Sequence, residues 1–304
     1  MTEGTVVRIE GPVARVRAGD ETVRAGMRGL LKSGPRAAVH PIAVGDRVRI
    51  VSDGREGWRI ESVLDRKSLL ARADPGDSRR YHAIAANLDQ ALCVQALRDP
   101  PLNLRGLERF LLLARAAGVP GAIAVNKIDL RGREIPRELD HYPRIGIPVF
   151  LLSATQRTGL EPLAGWLSNR TTVIVGPSGV GKSTLLNALV PGLQLRTGAV
   201  SHATSKGVHT TVRVEWIDLP GGGVALDTPG LRAIRPWGID AGNLILAYPE
   251  FADHGSCRFP DCVHRKEPDC AVRAAVEQGR IPAFRYDSYL RLLASFDEER
   301  FSDW

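Results

Sequence analysis

Gly176-Pro177-Ser178-Gly179-Val180-Gly181-Lys182-Ser183 joins an apolar run, Thr172 to Val175, to Thr184-Leu185-Leu186-Asn187-Ala188-Leu189, which reads as a helix. Glycines at this spacing let the backbone curl until successive N–H groups converge on an anion, and the dipole of the following helix adds positive potential there. The segment is a cradle for phosphates. Within it Lys182 reaches the β and γ phosphates of a nucleotide, and the Ser183 hydroxyl, with Thr184 behind it, faces the accompanying Mg²⁺. A second apolar run, Gly223 to Leu226, ends in Asp227-Thr228-Pro229-Gly230, 44 residues after Ser183. Asp227 there supplies the carboxylate that holds Mg²⁺ through water, and the Gly230 N–H senses the γ-phosphate.

The base is read by Asn126-Lys127-Ile128-Asp129, which closes the run Ala122 to Val125. Guanine presents its N1–H and exocyclic amine side by side, matching the two oxygens of Asp129; adenine leaves that carboxylate unpaired, at a cost of about 1–3 kcal/mol. The stem of Lys127 packs along the base. Ser153-Ala154, after the run Ile147 to Leu152, offers the Ala154 N–H to guanine O6. Only 6 of the 41 basic residues are lysines, yet both positions where a guanine-nucleotide site needs lysine have it. Between the phosphate cradle and Asp227 lies the polar stretch Thr204-Ser205-Lys206-Gly207-Val208-His209-Thr210-Thr211. A threonine here, Thr211 in preference to Thr210, completes the Mg²⁺ shell with nucleoside triphosphate and lets go after hydrolysis. Leu231 stands where Ras-like enzymes carry a water-positioning glutamine, which leaves His209 as the nearest titratable group to orient water.

A separate constellation follows. Cys257-x4-Cys262-x-His264-x5-Cys270 packs three thiols and an imidazole into 14 residues, flanked by Pro260 and Pro268. That donor set suits one tetrahedral, structural Zn²⁺ with no open position for chemistry, and metal would contribute directly to folding this module. His254 is a rival fourth ligand. A redox pair is the alternative, without a C-x-x-C motif to accompany it. Cys93, in the apolar run Ala91 to Leu97, reads as a core residue.

These groups need elements to position them. The chain has 304 residues, 43% apolar and 25% charged, which excludes disordered and low-complexity classes and predicts several packed domains. Residues 1–65 alternate as five short strands (Thr5–Ile9, Val13–Arg17, Thr22–Arg24, Val44–Val51, Trp58–Val63), the pattern of a small barrel, of which the OB-fold is a common form. Across 66–236 strand and helix alternate, predicting a parallel α/β sheet. Residues 237–304 read as loops around the cysteines and then helices, with Tyr286, Tyr289, Leu290, Leu293 and Phe296 as one apolar stripe. The net charge of +7 divides into +2, +9 and −4 over these three divisions. Arg66, Lys67, Arg72, Arg79 and Arg80 form a basic, loop-like connector open to RNA or solvent. No signal peptide or run of ~18 apolar residues is present, so a soluble, cytoplasmic, monomeric protein with no membrane partner is expected.

The order of the motifs is the most informative feature: Asn126–Asp129, Ser153-Ala154, Gly176–Ser183, then Asp227–Gly230. In ordinary GTPases the phosphate cradle comes first and the base-reading loops last, so the domain is circularly permuted, a change that compact domains with neighbouring termini tolerate. With the barrel before it and the cysteine spacing after it, nearly the whole chain resembles the RsgA family (also called YjeQ or YloQ) of circularly permuted small ribosomal subunit biogenesis GTPases. The resemblance implies a multi-domain α/β protein: an N-terminal OB-fold, a permuted P-loop GTPase domain and a C-terminal α-helical zinc-binding domain. It further implies GTP hydrolysis stimulated by the small subunit late in its maturation, with ribosomal RNA contacted through the barrel and zinc domains. It also favours His209, which matches the histidine before the family's paired threonines, while Val208 and Val212 depart from that loop's usual residues. A GTP-gated RNA-binding scaffold with negligible catalysis is the alternative.

Overall fold

The computed structural model describes residues 1–27, 37–52, 54, 57–74, 76–77, 79–130, 134–196, 214–228 and 236–297. The N-terminal strands are β1 (Thr2–Glu10), β2 (Val13–Ala18), β3 (Glu21–Gly26), β4 (Ala38–His40), β5 (Arg47–Ser52) and β6 (Trp58–Val63). All but β4 close into a barrel in the order β1-β2-β3-β6-β5, with β3 meeting β6 in parallel and β1 closing on β5 antiparallel. Period-2 alternation sends Val6, Val16, Val48, Ile50 and Ile60 inside and leaves arginines outside, so the barrel is filled and is of the OB type.

Residues 66–86 differ from the expected loop. They contain β7 (Leu69–Ala73) and β8 (Tyr81–Ala86), which pair with each other and place β4 on their far side, order β4-β8-β7. Leu70, Ala71, Ile84, Ala85 and Ala86 are all buried, which makes these short runs worth pairing, and the polar residues between the strands supply the turn. Arg66 does not face outward with the rest of the basic connector. Its guanidinium forks onto Asp46 at 2.7 and 2.8 Å, a carboxylate with 0% exposure that also accepts from the Ala43 N–H at 2.7 Å.

The second layered unit comprises β9 (Gln90–Ala96), β10 (Gly121–Asn126), β11 (Val149–Leu151), β12 (Thr171–Val175), β13 (Glu215–Asp218) and β14 (Val224–Asp227). Their spatial order is β11-β10-β9-β12-β14-β13, parallel except for the edge strand β13. Helices α1 (Leu104–Ala116) and α2 (His141–Arg144) cover one face, while α3 (Leu160–Leu167) and α4 (Lys182–Leu189) cover the other. With both faces covered, the central strands are apolar throughout; β9 is buried along its whole length, including Cys93, whose thiol burial pushes up to about 12. The edge strand escaped notice in the sequence because Glu215-Trp216-Ile217-Asp218 is short and polar at both ends. It faces the barrel: Arg17 donates twice to Asp218, at 2.8 Å each, and lies over the Trp216 ring.

The C-terminal module holds two 3₁₀ segments, Leu244–Ala247 and Pro249–His254, then α5 (Ala271–Glu277) and α6 (Ala283–Asp297). Its core gathers Leu244, Tyr248, Phe251, Tyr289 and Leu293 around Leu112 of α1. Its entry is tied down where the Trp237 N–H donates to Ala71 O at 3.1 Å and the indole packs on Tyr81. Among the described residues, no helix is long and apolar enough to cross a membrane.

Candidate functional site

In a parallel sheet the loops leaving the carboxyl ends of the strands lie along one edge, and ligands bind there. Here that edge collects the loops after β10, β11, β12 and β14, the four segments singled out by sequence. Asn126, the last residue of β10 and 2% exposed, joins three of them. Its amide nitrogen donates to Val180 O at 2.9 Å, in the phosphate cradle. Its amide oxygen accepts from the Ala154 N–H at 3.0 Å and from the Lys127 N–H at 2.8 Å. The Ala154 N–H, the group expected to reach guanine O6, here donates to Asn126 and ties the Ser153-Ala154 loop to the base-reading loop. Ser153, fully buried, braces the same turn by accepting from the Gln156 N–H at 3.1 Å. Asp129 lies exposed at the rim, where a base edge can reach it.

The cradle has the shape its glycines were expected to allow. Gly181 adopts φ +91°, and a Cβ there would come within 2.5 Å of Asn126 Nδ2. Gly176 has φ +150°, with Val94 O only 2.1 Å from the position of a Cβ. Only glycine lets the turn approach both neighbours. Lys182 opens α4 and donates to Gly176 O and Pro177 O at 2.7 and 2.8 Å, while Lys127 donates to Gly179 O at 2.7 Å. Ser183 and Thr184 occupy the first turn of α4. Pro177 and Ser178 lie between these anchors in the cradle.

Asp227, at the end of β14, is 8% exposed, and its Oδ1 has no hydrogen-bond partner among the described residues. Burial raises its carboxyl above the ordinary value of 3.8, against the opposing pull of Lys182. A buried, unpartnered carboxylate oxygen beside a phosphate cradle fits a divalent cation. Thr228, which sequence reasoning passed over, seats this corner by donating its hydroxyl to Ile174 O at 3.0 Å. His209, Thr210, Thr211 and Gly230 lie outside the described residues.

The cysteine constellation assembles as a second site. Cys257, Cys262, His264 and Cys270 bring one donor atom each within 4.8 Å of one another. His264 Nδ1 stands 3.5, 3.4 and 3.3 Å from the sulfurs of Cys257, Cys262 and Cys270, and Cys257 Sγ is 3.8 Å from Cys270 Sγ. Edges of about 3.5–3.8 Å are those of a tetrahedron whose centre lies 2.0–2.3 Å from nitrogen and sulfur donors, so the four fit one metal ion. His254, the rival ligand, is not among the four residues whose donor atoms converge; its Nδ1 accepts from Arg280 at 2.8 Å. The aromatic stripe of α6 proves to be more than core: the Tyr286 and Tyr289 hydroxyls donate to His264 O and Val263 O, at 2.6 and 2.9 Å. Glu267, also unforeseen, accepts from the backbone N–H groups of Val263, Arg265 and Lys266. Burial pushes its carboxyl up, but these donors outweigh that and hold it at about 2.

Residues 63–237 match the family model described as RsgA GTPase. The chain is 45% identical over 296 residues to the small ribosomal subunit biogenesis GTPase RsgA of Gemmatimonas aurantiaca, covering 96% of each chain. It is 36% identical to the protein of the same name from Bacteroides fragilis, over 98% of each. Among solved structures it is similar to YjeQ from Thermotoga maritima, with a TM-score of 0.77, 30% identity, and 97% and 98% of the two chains covered. It is similar also to YloQ, described as a circularly permuted GTPase, with a TM-score of 0.73, 25% identity, and 99% and 96% covered. A permuted order of loops on an unpermuted sheet, a barrel before it and a four-donor cluster after it thus coincide with sequence similarity along almost the entire length, and the chain belongs to the RsgA GTPase family.

Proposed function

We propose that the protein hydrolyses GTP in response to the small ribosomal subunit and acts in that subunit's assembly. The observation that supports this reading best is the position of Asn126, whose one amide holds the base-reading loop, the Ser153-Ala154 loop and the phosphate cradle in register. Around it Asp129 accepts from the guanine N1–H and amine, and the stem of Lys127 lines the base. Backbone N–H groups of residues 176–183 and the Lys182 ammonium take up the charge of the β and γ phosphates. Ser183, Asp227 and Thr211 hold Mg²⁺, which when bound offsets charge on the phosphate oxygens. His209 orients the attacking water, since Leu231 has no group to do so. Cys257, Cys262, His264 and Cys270 hold one structural Zn²⁺, whose contribution is to fold the C-terminal module. The protein works as a monomer in the cytoplasm, with ribosomal RNA as the partner of the outward arginines of the barrel and of the zinc module.

The test is GTP hydrolysis by the purified chain titrated with small subunits at several salt concentrations. Turnover is slow alone and rises with subunits, and the stimulation fades steeply with salt because phosphate contacts release counterions. Failure of subunits to stimulate at low salt overturns the reading and leaves a GTP-gated RNA-binding scaffold.

A further inference from the structure

Helix α1 starts at the nucleotide edge and is gripped, just over one turn later, by the C-terminal module. Its N-cap Asn103 accepts from the Gly106 N–H at 3.1 Å. The residues before that cap touch both halves of the site. Asp99 O accepts from Lys127 Nζ, and the Pro100 ring lies 3.5 Å from where a Cβ on Gly179 would sit. Lys127 is thereby held between Asp99 O and Gly179 O, with the Pro100 ring neighbouring the same glycine.

Glu108, the fifth residue of α1 and 4% exposed, accepts from the Tyr142 hydroxyl at 2.5 Å and from Arg285 Nη1. Arg285 comes from α6, is 1% exposed, and donates through Nε and Nη2 to Glu250 at 2.5 and 3.2 Å. Its guanidinium lies 4.5 Å from the centre of the Tyr248 ring. Two carboxylates and one guanidinium, all buried, cannot be separated without stranding a charge, so the cluster resists piecemeal opening. Helix α1 spans ~1.5 Å per residue, which puts Glu108 roughly 7 Å from the helix start and makes the helix a stiff link between the cluster and Pro100.

We propose that Glu108 and Arg285 are positioning residues for the guanine nucleotide: from the C-terminal module they hold α1 so that Asp99 and Pro100 stay seated against Lys127 and Gly179. The inference rests on the guanine-nucleotide reading of the site. It makes nucleotide retention depend on docking of the C-terminal module, and by reciprocity makes that docking depend on nucleotide. A macromolecule that draws the module away from α1 accelerates nucleotide release.

The experiment follows dissociation of a fluorescent GDP analogue from the full-length, zinc-loaded protein and from Glu108→Gln, Arg285→Met, Pro100→Ala and the Glu108→Gln/Pro100→Ala pair. Each single variant speeds dissociation by about 2- to 30-fold, the range of coupling through a shared element. The pair is no faster than the faster single, because both act on one element. Unfolding midpoints of the nucleotide-free proteins are measured alongside. A cluster that merely stabilises the fold lowers the midpoint and leaves dissociation unchanged; that result, or strictly additive effects in the pair, overturns the proposal. Should Arg285→Met not fold, Glu108→Gln and Tyr142→Phe, which leave Arg285 on Glu250, decide the matter by the same criterion. Unaltered protein that binds no guanine nucleotide overturns the reading of the site, and the inference with it.

Discussion

Replacing Asn126 by alanine isolates what holds the nucleotide loops in register. The side chain serves Val180 O at 2.9 Å, the Ala154 N–H at 3.0 Å and the Lys127 N–H at 2.8 Å. Val180 is 0% and Ala154 4% exposed, so water does not readily replace the lost partner at either; Lys127 is half-buried, and water can serve its N–H. Two orphaned buried groups at about 1–3 kcal/mol each bracket the loss, and ~3 kcal/mol is a working figure once some relaxation is allowed. At 1.4 kcal/mol per decade that is roughly a hundredfold in an equilibrium constant. The loss divides between the nucleotide-free fold, where these bonds already exist, and nucleotide affinity, because a guanine nucleotide must find the joined loops assembled. Titration with a fluorescent GDP analogue therefore gives a dissociation constant raised by up to about a hundredfold, and thermal unfolding of the nucleotide-free protein shifts down by the share that affinity does not take. Asn126→Asp keeps the shape but turns an oxygen toward Val180 O, so it is at least as damaging. Near-normal GDP affinity in both variants would refute the reasoning, since it means that other contacts align the loops.

The remaining predictions concern the base, the metals and pH. Asp129→Asn presents one donor and one acceptor where guanine needs two acceptors, so competition assays show weaker GTP binding and new acceptance of xanthosine nucleotides; undiminished guanine preference would remove Asp129 from its role. Cys262→Ser takes away one of four donors, and elemental analysis then falls well below the about one zinc per chain of the unaltered protein. Loss of the thiol also loosens the hold of Tyr286 and Tyr289 on the loop, seen as a fall in thermal stability that chelators reproduce in the unaltered protein but not in the variant. Asp227 carries a carboxyl raised above 3.8 by burial. A raised carboxyl takes up its proton more readily in the folded protein, so the Mg²⁺ contribution to nucleotide binding is complete well above the folded pKa and is lost as pH falls through it. The proton thus competes with Mg²⁺, and the Mg²⁺ concentration needed for half-maximal effect starts to rise at higher pH than for an ordinary aspartate; a requirement that does not rise on acidification contradicts the assignment.

Legibility followed distance along the chain. The phosphate cradle, the base-reading tetrapeptide and the cysteine cluster are each built from residues within one short window, where spacing alone dictates which backbone groups or donor atoms converge. Five barrel strands and the central strands of the sheet were legible for the related reason that burial on one face or on both leaves a local pattern. The small sheet was not: β4 pairs with β8 across some forty residues, and neither is long enough to show a period. Arg66 illustrates the same limit, for in sequence it is one more arginine in a basic connector, and only the fold places it on Asp46.

Contacts between the three modules were the least legible because charge pairs carry no positional signature. Arg17 and Asp218 are 201 residues apart and Glu108 and Arg285 are 177 apart, and nothing in the composition around them marks them out. Those pairs nevertheless differ in kind. Arg17 and Asp218 are 39% and 58% exposed, so solvent screens their attraction and they steer the barrel rather than fasten it. The Glu108–Arg285–Glu250 cluster is buried and flanked by Tyr142 and Tyr248, so breaking it leaves a charge without solvent or partner. The permutation gives this asymmetry a consequence. It places the Asp227 corner near the end of the GTPase unit, with the C-terminal module directly after it in the chain, and the buried cluster returns that module to α1, which starts at the base-reading edge. The module therefore joins the rest of the chain at two points, at Trp237 on the small sheet and at Arg285 on α1, whereas the barrel meets the sheet's edge strand through a screened pair and the small sheet through the Ala86 N–H on Val44 O.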